Sequence, residues 1–476
     1  MNETVLSVYH RMPPALRSLV AGARGLYLRS ARYGAATQRA AAEALERDRW
    51  PEEKLLAYQR ERLARVLHRA ATRVPYYREQ WSTRRANGDT ASWAELENWP
   101  ILEKDVVRER PLAFLADDCD PRRMDHEHTS GTTGKPLSVW WSRETTQVWY
   151  GLAEARWRSW YGVSGKNRWA ILGGQLVVPY AATVPPYWVW NAPLRQLYMS
   201  SYHLAPAAMP HYLEALSKYR IQYLFGYTSA LYALAQSALA SGGGPRMSVV
   251  ITNAEPLPDH QRRIISQAFQ CPVRETYGMA EIVAAASECE AGNRHLWPEA
   301  GIVEILHGTV PAPAEEAGDL VATGLLNADM PLIRYRIGDR ASSGTQERCP
   351  CGRTLRQIGS IEGRSDDVVV TSDGRSIGRL DPLFKDDLPL REGQIIQERL
   401  DCFRILLVPA PGYGPDVERV LTARLKDRVG DVGITIECVD EIPRGANGKF
   451  RAVISRVPKD VRDRVTAGRR LSGAHD

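Results

Sequence analysis

Between about residue 125 and residue 360 the chain reads as short apolar runs set apart by helical stretches and glycine turns, and this alternation limits the fold more than any other feature. RWAILGG, MSVVITNA and GIVEIL are short and almost uniformly apolar, as strands covered on both faces are. HYLEALSKY and DHQRRIISQAF carry the three-to-four-residue spacing of amphipathic helices. The mixture predicts a large α/β unit, with SGGGP at 241–245 a turn inside it. Residues 1–80 read as helical. One helix is expected over 18–34, and another over 52–77, where Leu55, Leu56, Tyr58, Leu63, Val66 and Leu67 recur at helical spacing and Pro75 is the stop. Beyond a boundary near 363–380, strands are expected over 393–408 and 432–440, with the helix VERVLTARLKDRV between them. The expected organisation is therefore a large N-terminal α/β domain over 1–362 and a small α+β domain over 363–476.

Charged residues make up 25% of the 476 and hydrophobic residues 44%, a balance that excludes a largely disordered chain. The net charge of +6 is not gathered into a basic run interleaved with aromatic residues, so no nucleic-acid partner is expected. The first twenty residues lack the basic start and continuous apolar stretch of a secretory leader. No window approaches the length of a membrane span. Seven cysteines do not form a disulfide scaffold, which points to a reducing cytoplasm and makes clustered cysteines candidates for metal first.

The sharpest local signal is HTSGTTGKP at 128–136. Gly131 and Gly134 permit tight turns and close backbone approach, and free N–H groups there form an anion nest. Thr129, Ser130, Thr132 and Thr133 add hydroxyls, and Lys135 adds a mobile cation. The GxxxxGK[ST] frame is absent and proline follows the lysine, which disfavours a P-loop NTPase.

HTSGTTGKP resembles the phosphate loop of adenylate-forming enzymes, the superfamily of acyl-CoA synthetases and related ligases. Further segments resemble that family in its own order: NAEPL at 253–257, ETYGMAE at 275–281, YRIGD at 335–339, GRSDD at 363–367 and NGKF at 447–450. MPPALRSL, VPYYR at 74–78 and CPCGR at 349–353 bring the resemblance to the phenylacetate-CoA ligase branch, with its capsular-polysaccharide and coenzyme F390 synthetase-like members. It covers essentially the whole chain.

The resemblance implies that a carboxylate attacks the α-phosphate of ATP, giving an acyl-adenylate and pyrophosphate, and that a second step expels AMP. Residues Thr129, Ser130, Gly131, Thr132, Thr133 and Gly134 would hold phosphates, and Lys135 would assist pyrophosphate departure. Asn253, Ala254 and Glu255 match the adenine loop, while Tyr277 and Gly278 lie beside the adenine. Glu281 matches the glutamate near Mg²⁺, and Asp339 the acceptor for the ribose diol. Arg364 matches an interdomain arginine near the nucleotide, Asp366 the hinge, and Arg375 a phosphate-contacting arginine or a turn neighbour. Lys449 matches the lysine that a mobile small domain swings onto the carboxylate and α-phosphate. Where relatives commonly carry threonine before the glutamate, this chain has Ala280, which cannot donate to the α-phosphate.

Cys289, His295, Cys349 and Cys351 make a Cys₃His set, a standard structural zinc arrangement that the branch is believed to carry. The other cysteines have no comparable grouping. Eight of the 13 tryptophans lie between Trp140 and Trp190, and Tyr180, Tyr187, Tyr198 and Tyr202 extend the aromatic run towards YLFGYTS at 223–229. These residues, with His203 and Tyr227 as polar candidates, either border a pocket for a flat carboxylic acid or pack a core or a dimer interface. The expected function is an AMP-forming ligase for an aromatic acid with coenzyme A as the acceptor. Alternatives are an amide or ester ligase of secondary metabolism or polysaccharide synthesis, an F390 synthetase-like nucleotidyl ligase, and a non-catalytic nucleotide-binding descendant.

Overall fold

The computed structural model describes residues 3–128, 137–179, 181–314, 316–345, 347–362, 369–377, 380–384, 388–442 and 451–466. The N-terminal layer is helical: α1 (Glu3–Arg11), α2 (Pro14–Arg32), α3 (Ala35–Arg47), α4 (Glu52–Arg73) and α5 (Pro75–Ala86). Pro75 ends α4, as expected, but it also opens α5, because a first-turn residue needs no N–H partner. Tyr76 and Tyr77 therefore belong to the new helix, where Tyr77 is buried and donates to the Pro331 carbonyl at 3.1 Å. The short α6 (Lys104–Glu109) precedes an antiparallel pair, β1 (Asp125–His128) and β2 (Ser138–Trp141). Ser142 caps α7 (Arg143–Ala153), accepting the Thr145 N–H at 3.2 Å. Glycine at 151 lets α7 lie against α3, since a Cβ there would sit 2.6 Å from the Thr37 carbonyl.

The large sheet begins with β3 (Trp169–Gly173), β4 (Trp188–Asn191) and β5 (Gln196–Ser200). It continues through α8 (Met209–Lys218), β6 (Tyr223–Tyr227), α9 (Thr228–Ala240), β7 (Val249–Asn253), α10 (Asp259–Phe269) and β8 (Val273–Gly278). Strands β5, β3, β6, β7 and β8 run parallel in that order. Beyond β8 the sheet turns antiparallel through β9 (Ala285–Glu288), β10 (Arg294–Leu296), β11 (Gly301–His307), β12 (Val310–Pro311), β13 (Gly318–Gly324), β14 (Tyr335–Ser343) and β15 (Gln357–Glu362). Its full order is β12-β11-β13-β14-β15-β10-β9-β8-β7-β6-β3-β5-β4. The three apolar runs read from the sequence are β3, β7 and β11, and the two amphipathic stretches are α8 and α10.

The C-terminal part holds β16 (Val369–Val370), β17 (Ser376–Ile377), β18 (Leu390–Arg399), β19 (Cys402–Pro409), α11 (Pro415–Val429), β20 (Gly433–Cys438), β21 (Val453–Ser455) and α12 (Lys459–Thr466). The stretch expected as strand over 393–408 is a hairpin, β18 paired with β19, which turns at residues 400–401. The four-stranded sheet β20-β19-β18-β21 has its own core of Ile395, Phe403, Ile405, Leu421 and Leu425. Tyr202 and Leu176 from the large sheet unit join that core, so the two units are packed against one another. The fold is mixed α/β, a large sheet unit carrying a C-terminal α+β unit.

Candidate active site and metal centre

The parallel strands follow the order second-first-third-fourth-fifth along the chain, and such sheets bind ligands outside the carboxyl ends of their strands where the winding reverses. Tyr227 and Asn253 close neighbouring strands there, paired in register. Asn253 Oδ1 is buried and has no hydrogen-bond partner among the described residues. The next residue, Ala254, adopts φ +64°, a left-handed conformation that a β-carbon disfavours. Glu255 fixes the loop: its carboxylate accepts the Ser229 N–H at 2.7 Å and the Ser229 hydroxyl at 3.1 Å, at the N-terminus of α9. The Glu255 side chain thus caps a helix and holds a strained turn, while Asn253 presents an acceptor awaiting a donor.

One strand over, β8 delivers Tyr277 and Gly278, followed by Ala280 and Glu281. The Tyr277 hydroxyl donates to Asp339 Oδ2 at 2.9 Å. Glu281 is buried, and its Oε1 accepts from Lys104 Nζ at 2.9 Å and from the Tyr335 hydroxyl at 2.9 Å. Strand β14 supplies both Tyr335 and Asp339, with Gly338 between them at φ +95°, a conformation that favours glycine. Of this group, Tyr277, Glu281 and Asp339 are legible in the sequence. Lys104 carries no local signature, and Tyr335 lies within YRIGD without an evident task. A single buried carboxylate fits Mg²⁺, which takes one or two protein carboxylates and completes its shell with water and substrate phosphates.

An aromatic wall flanks this group. Trp149, Trp157 and Trp297 meet with ring centroids 5.3–5.7 Å apart, and Phe225 lies 5.8 Å from Trp157. A Cβ on Gly278 would lie 3.5 Å from Trp157 and 3.6 Å from Trp149, so the wall borders β8 at its carboxyl end. Trp157 Nε1 is buried without a partner among the described residues. Much of the rest of the aromatic run is core packing, and Trp141 meets Trp149 itself with ring centroids 6.3 Å apart. Trp140, Trp141 and Trp169 are core residues, Trp190 stacks on Tyr219, and Tyr187 stacks on His203. Both His203 ring nitrogens are engaged, one with Ser200 Oγ at 2.8 Å and one with the Pro179 carbonyl at 3.0 Å.

The Cys/His quartet converges. Cys289 and His295 flank the β9–β10 turn, Cys349 and Cys351 precede β15, and β10 pairs with β15. The four ligand atoms lie within 4.8 Å of one another. Cys289 and Cys349 sulfurs are 3.6 Å apart, close to the edge of about 3.8 Å that a tetrahedron with Zn–S bonds near 2.3 Å requires. His295 Nδ1 meets the Leu355 carbonyl at 2.9 Å, which leaves Nε2 turned to Cys351 Sγ at 3.5 Å. Burial pushes the Cys289 thiol up to about 12, a cost that a coordinated cation removes. The donor set, closed on all four sides by protein, fits structural zinc.

Arg375 lies apart from these groups. Its guanidinium contacts Asp373 Oδ2 at 2.8 Å and the carbonyls of Tyr202 at 3.3 Å and Arg428 at 3.1 Å. Thr129, Ser130, Gly131, Thr132, Thr133, Gly134, Lys135, Arg364, Asp366 and Lys449 lie outside the described residues. The ends of the 129–136 loop are described, and His128 pairs with Ser138 across β1 and β2.

An α/β sheet that gathers the Asn253 acceptor, the Tyr277–Asp339 pair and the buried Glu281 at its parallel strand ends has the architecture of an adenylate-forming ligase. Residues 58–322 match the AMP-binding enzyme family and residues 369–456 match the CapK C-terminal domain. The chain belongs to the AMP-binding enzymes, in the branch of phenylacetate-CoA ligase and CapK. It is 24% identical over 398 residues to protein CapK of Staphylococcus aureus, covering 80% of this chain and 85% of that protein. It is 26% identical over 338 residues to phenylacetate-coenzyme A ligase of Thermus thermophilus, covering 67% and 72%. Among solved structures, 2-hydroxyisobutyryl-CoA ligase in complex with 2-HIB-AMP and CoA aligns at TM-score 0.54 and 19% identity, covering 88% of this chain and 94% of that one, which shows the shared fold.

Proposed function

We propose that this protein uses ATP to convert an aromatic carboxylic acid to its acyl-adenylate and then transfers the acyl group to coenzyme A. A carboxylate oxygen bonds to the α-phosphorus as the bond to pyrophosphate breaks; the thiolate then bonds to the carbonyl carbon and AMP leaves. The reading rests above all on the buried Glu281, bound by Lys104 and Tyr335 beside the Tyr277–Asp339 pair. Asn253 Oδ1 suits the amino group of adenine, and Asp339 suits the ribose diol, with Tyr277 orienting it. Glu281 would hold Mg²⁺, which when bound offsets phosphate charge. Trp149, Trp157 and Phe225 would form the wall against the acid. Thr129 to Gly134 and Lys135 would receive the phosphates, and Lys449 would reach the carboxylate and α-phosphate from the small domain. On this reading the domains divide at 362/363, Asp366 is the hinge, Arg364 and Arg375 meet the nucleotide after rotation, and the Cys289–His295–Cys349–Cys351 zinc is structural.

Transfer to an amine or hydroxyl is the second reading, kept because residues 369–456 match the CapK C-terminal domain, a description that names no thiol acceptor. Pyrophosphate exchange against a panel of aromatic and aliphatic acids tests the first step, and mass analysis of products with CoA or with amines tests the second. Acid-dependent exchange is expected, strongest for flat acids, with acyl-CoA as product. Exchange with no acid in the panel would overturn the activation step.

A further inference from the structure

Helix α2 is amphipathic in the wrong sense for a helix that ends at the protein surface. Its inner face is built from small residues. Gly22 approaches Pro193, a Cβ on Gly25 would overlap the Asn191 side chain, and Ser18 Oγ accepts the Trp190 N–H at 3.4 Å. Its outer face carries the bulk: Leu16, Leu19, Val20, Leu26 and Tyr27 recur at helical spacing, with Leu19 69%, Leu26 62% and Tyr27 65% exposed. Val5 and Val8 on α1 are exposed too, so seven of the twelve most exposed large apolar side chains among the described residues fall between positions 5 and 27. Scattered surface leucines need no explanation, but a stripe along one helix does.

Charge selects the occupant. From residue 4 to residue 42 the chain has six arginines, at 11, 17, 24, 29, 32 and 39, and no acid. Arg24 and Arg29 are exposed and fall on opposite sides of the stripe at 100° per residue. Glu127 of β1 interacts with Arg32 and Arg24 and offsets part of this charge, and the other four arginines keep the segment positive. A two-fold contact with a second copy would bring this patch onto itself and its arginines towards one another. A leucine- and tyrosine-faced helix with arginines at its margins is the form that lies in the interface of an anionic bilayer. No described helix is long and apolar enough to cross a membrane.

We propose that α1 and α2 dock the protein onto an anionic lipid surface, with Leu16, Leu19, Val20, Leu26 and Tyr27 in the interface and Arg24 and Arg29 on the headgroups. Flotation of the full chain with vesicles of equal parts phosphatidylglycerol and phosphatidylcholine, against phosphatidylcholine alone, is the test. Flotation is expected only with the anionic vesicles, and it should weaken as salt rises. Leu19→Glu with Leu26→Glu should lower partitioning at least about tenfold, and Arg24→Ala with Arg29→Ala about fivefold per arginine, with melting temperature and pyrophosphate exchange unchanged. Wild-type protein that stays unbound to anionic vesicles at low salt would overturn the proposal. So would a dimer in solution that the leucine pair abolishes while flotation persists unaltered, because a second copy would then own the face. The wild-type arm decides even if a variant fails to fold.

Discussion

Glu281 shows how one side chain is set up by partners distant in sequence. Lys104 arrives from 177 residues upstream and Tyr335 from 54 downstream, both on the same carboxylate oxygen. Truncating either leaves a buried charge short of a partner, which costs more than the pair itself contributes. Glu281→Gln should keep the Tyr335 hydrogen bond but lose the charge, lowering the rate of pyrophosphate exchange about 10²-fold and raising the Mg²⁺ needed for half-maximal rate. In Lys104→Ala the carboxylate has one competitor fewer, so half-saturation should move to lower Mg²⁺. Magnesium titrations of both variants check the opposed directions, and shifts of the same sign would remove the carboxylate as the shared element. The residues of this group that belong to recognisable strings were legible in the sequence. Lys104 was not, because a lysine at a helix start looks the same whether it meets solvent or a buried acid 177 positions away.

At the level of elements, the loops that carry the Cys/His quartet are moored to the N-terminal helices. Asp48, just past α3, accepts the Thr354 N–H through its carbonyl at 2.9 Å, and Arg353 lies over the Trp160 ring at 4.1 Å. Beneath them Arg156, fully buried, binds Asp48 Oδ1 at 2.9 Å and Glu299 at 2.6 and 3.1 Å, and Arg47 adds a bond to Glu299 at 2.7 Å. Cys351→Ser should lose zinc and melt several degrees lower, at about 2–4 °C per kcal/mol for a domain of this order, which metal analysis and a melting curve would show together. Glu299→Gln should cost about 3–5 kcal/mol by leaving two guanidinium groups under-compensated. Burial works against the Glu299 carboxylate, but Arg156 and Arg47 prevail and hold its pKa below the ordinary 4.5. Its contribution is therefore present in full above that value and lost as pH falls through the lower folded-state value. Asp48 shifts the other way, since burial outweighs its single arginine. Urea midpoints from about pH 7 down to about pH 4 and below should start lower and fall less in Glu299→Gln than in the wild type. The turn signals and strand lengths behind these elements could be read in advance, and α10 is bounded as its periodicity predicts. The buried ion cluster could not, because each of its members looks like a surface charge until the layers are assembled.

For the molecule as a whole, the proposed mechanism needs one cleft to serve two attacking groups in turn. Lys449→Ala should slow adenylate formation about 10²- to 10³-fold, while supplied acyl-adenylate is consumed at close to the wild-type rate. Measuring pyrophosphate exchange and AMP release separately distinguishes the steps, and equal loss in both would exclude a half-reaction-specific lysine. The change in pattern over 363–380 pointed to a new strand-rich unit, and the four-stranded sheet β20-β19-β18-β21 lies beyond it. The hairpin of β18 and β19 was not read from the sequence, because the polar residues Gln397, Glu398 and Arg399 belong to β18 itself and only two residues form the turn.

The pairing of β10 with β15 also sets an order in time. β10 ends at Leu296 and β15 begins at Gln357, so a chain leaving the ribosome completes one partner roughly sixty residues before the other. At ordinary elongation rates that interval is on the order of 3–12 s. During it Cys289 and His295 stand on an unpaired sheet edge, while Tyr335 and Asp339 of β14 and then Cys349 and Cys351 are added before β15 closes that edge. Strand β15 pairs with β14 as well as with β10, so the strand that closes the edge at His295 is also the one that ties the strand of Tyr335 and Asp339 to it.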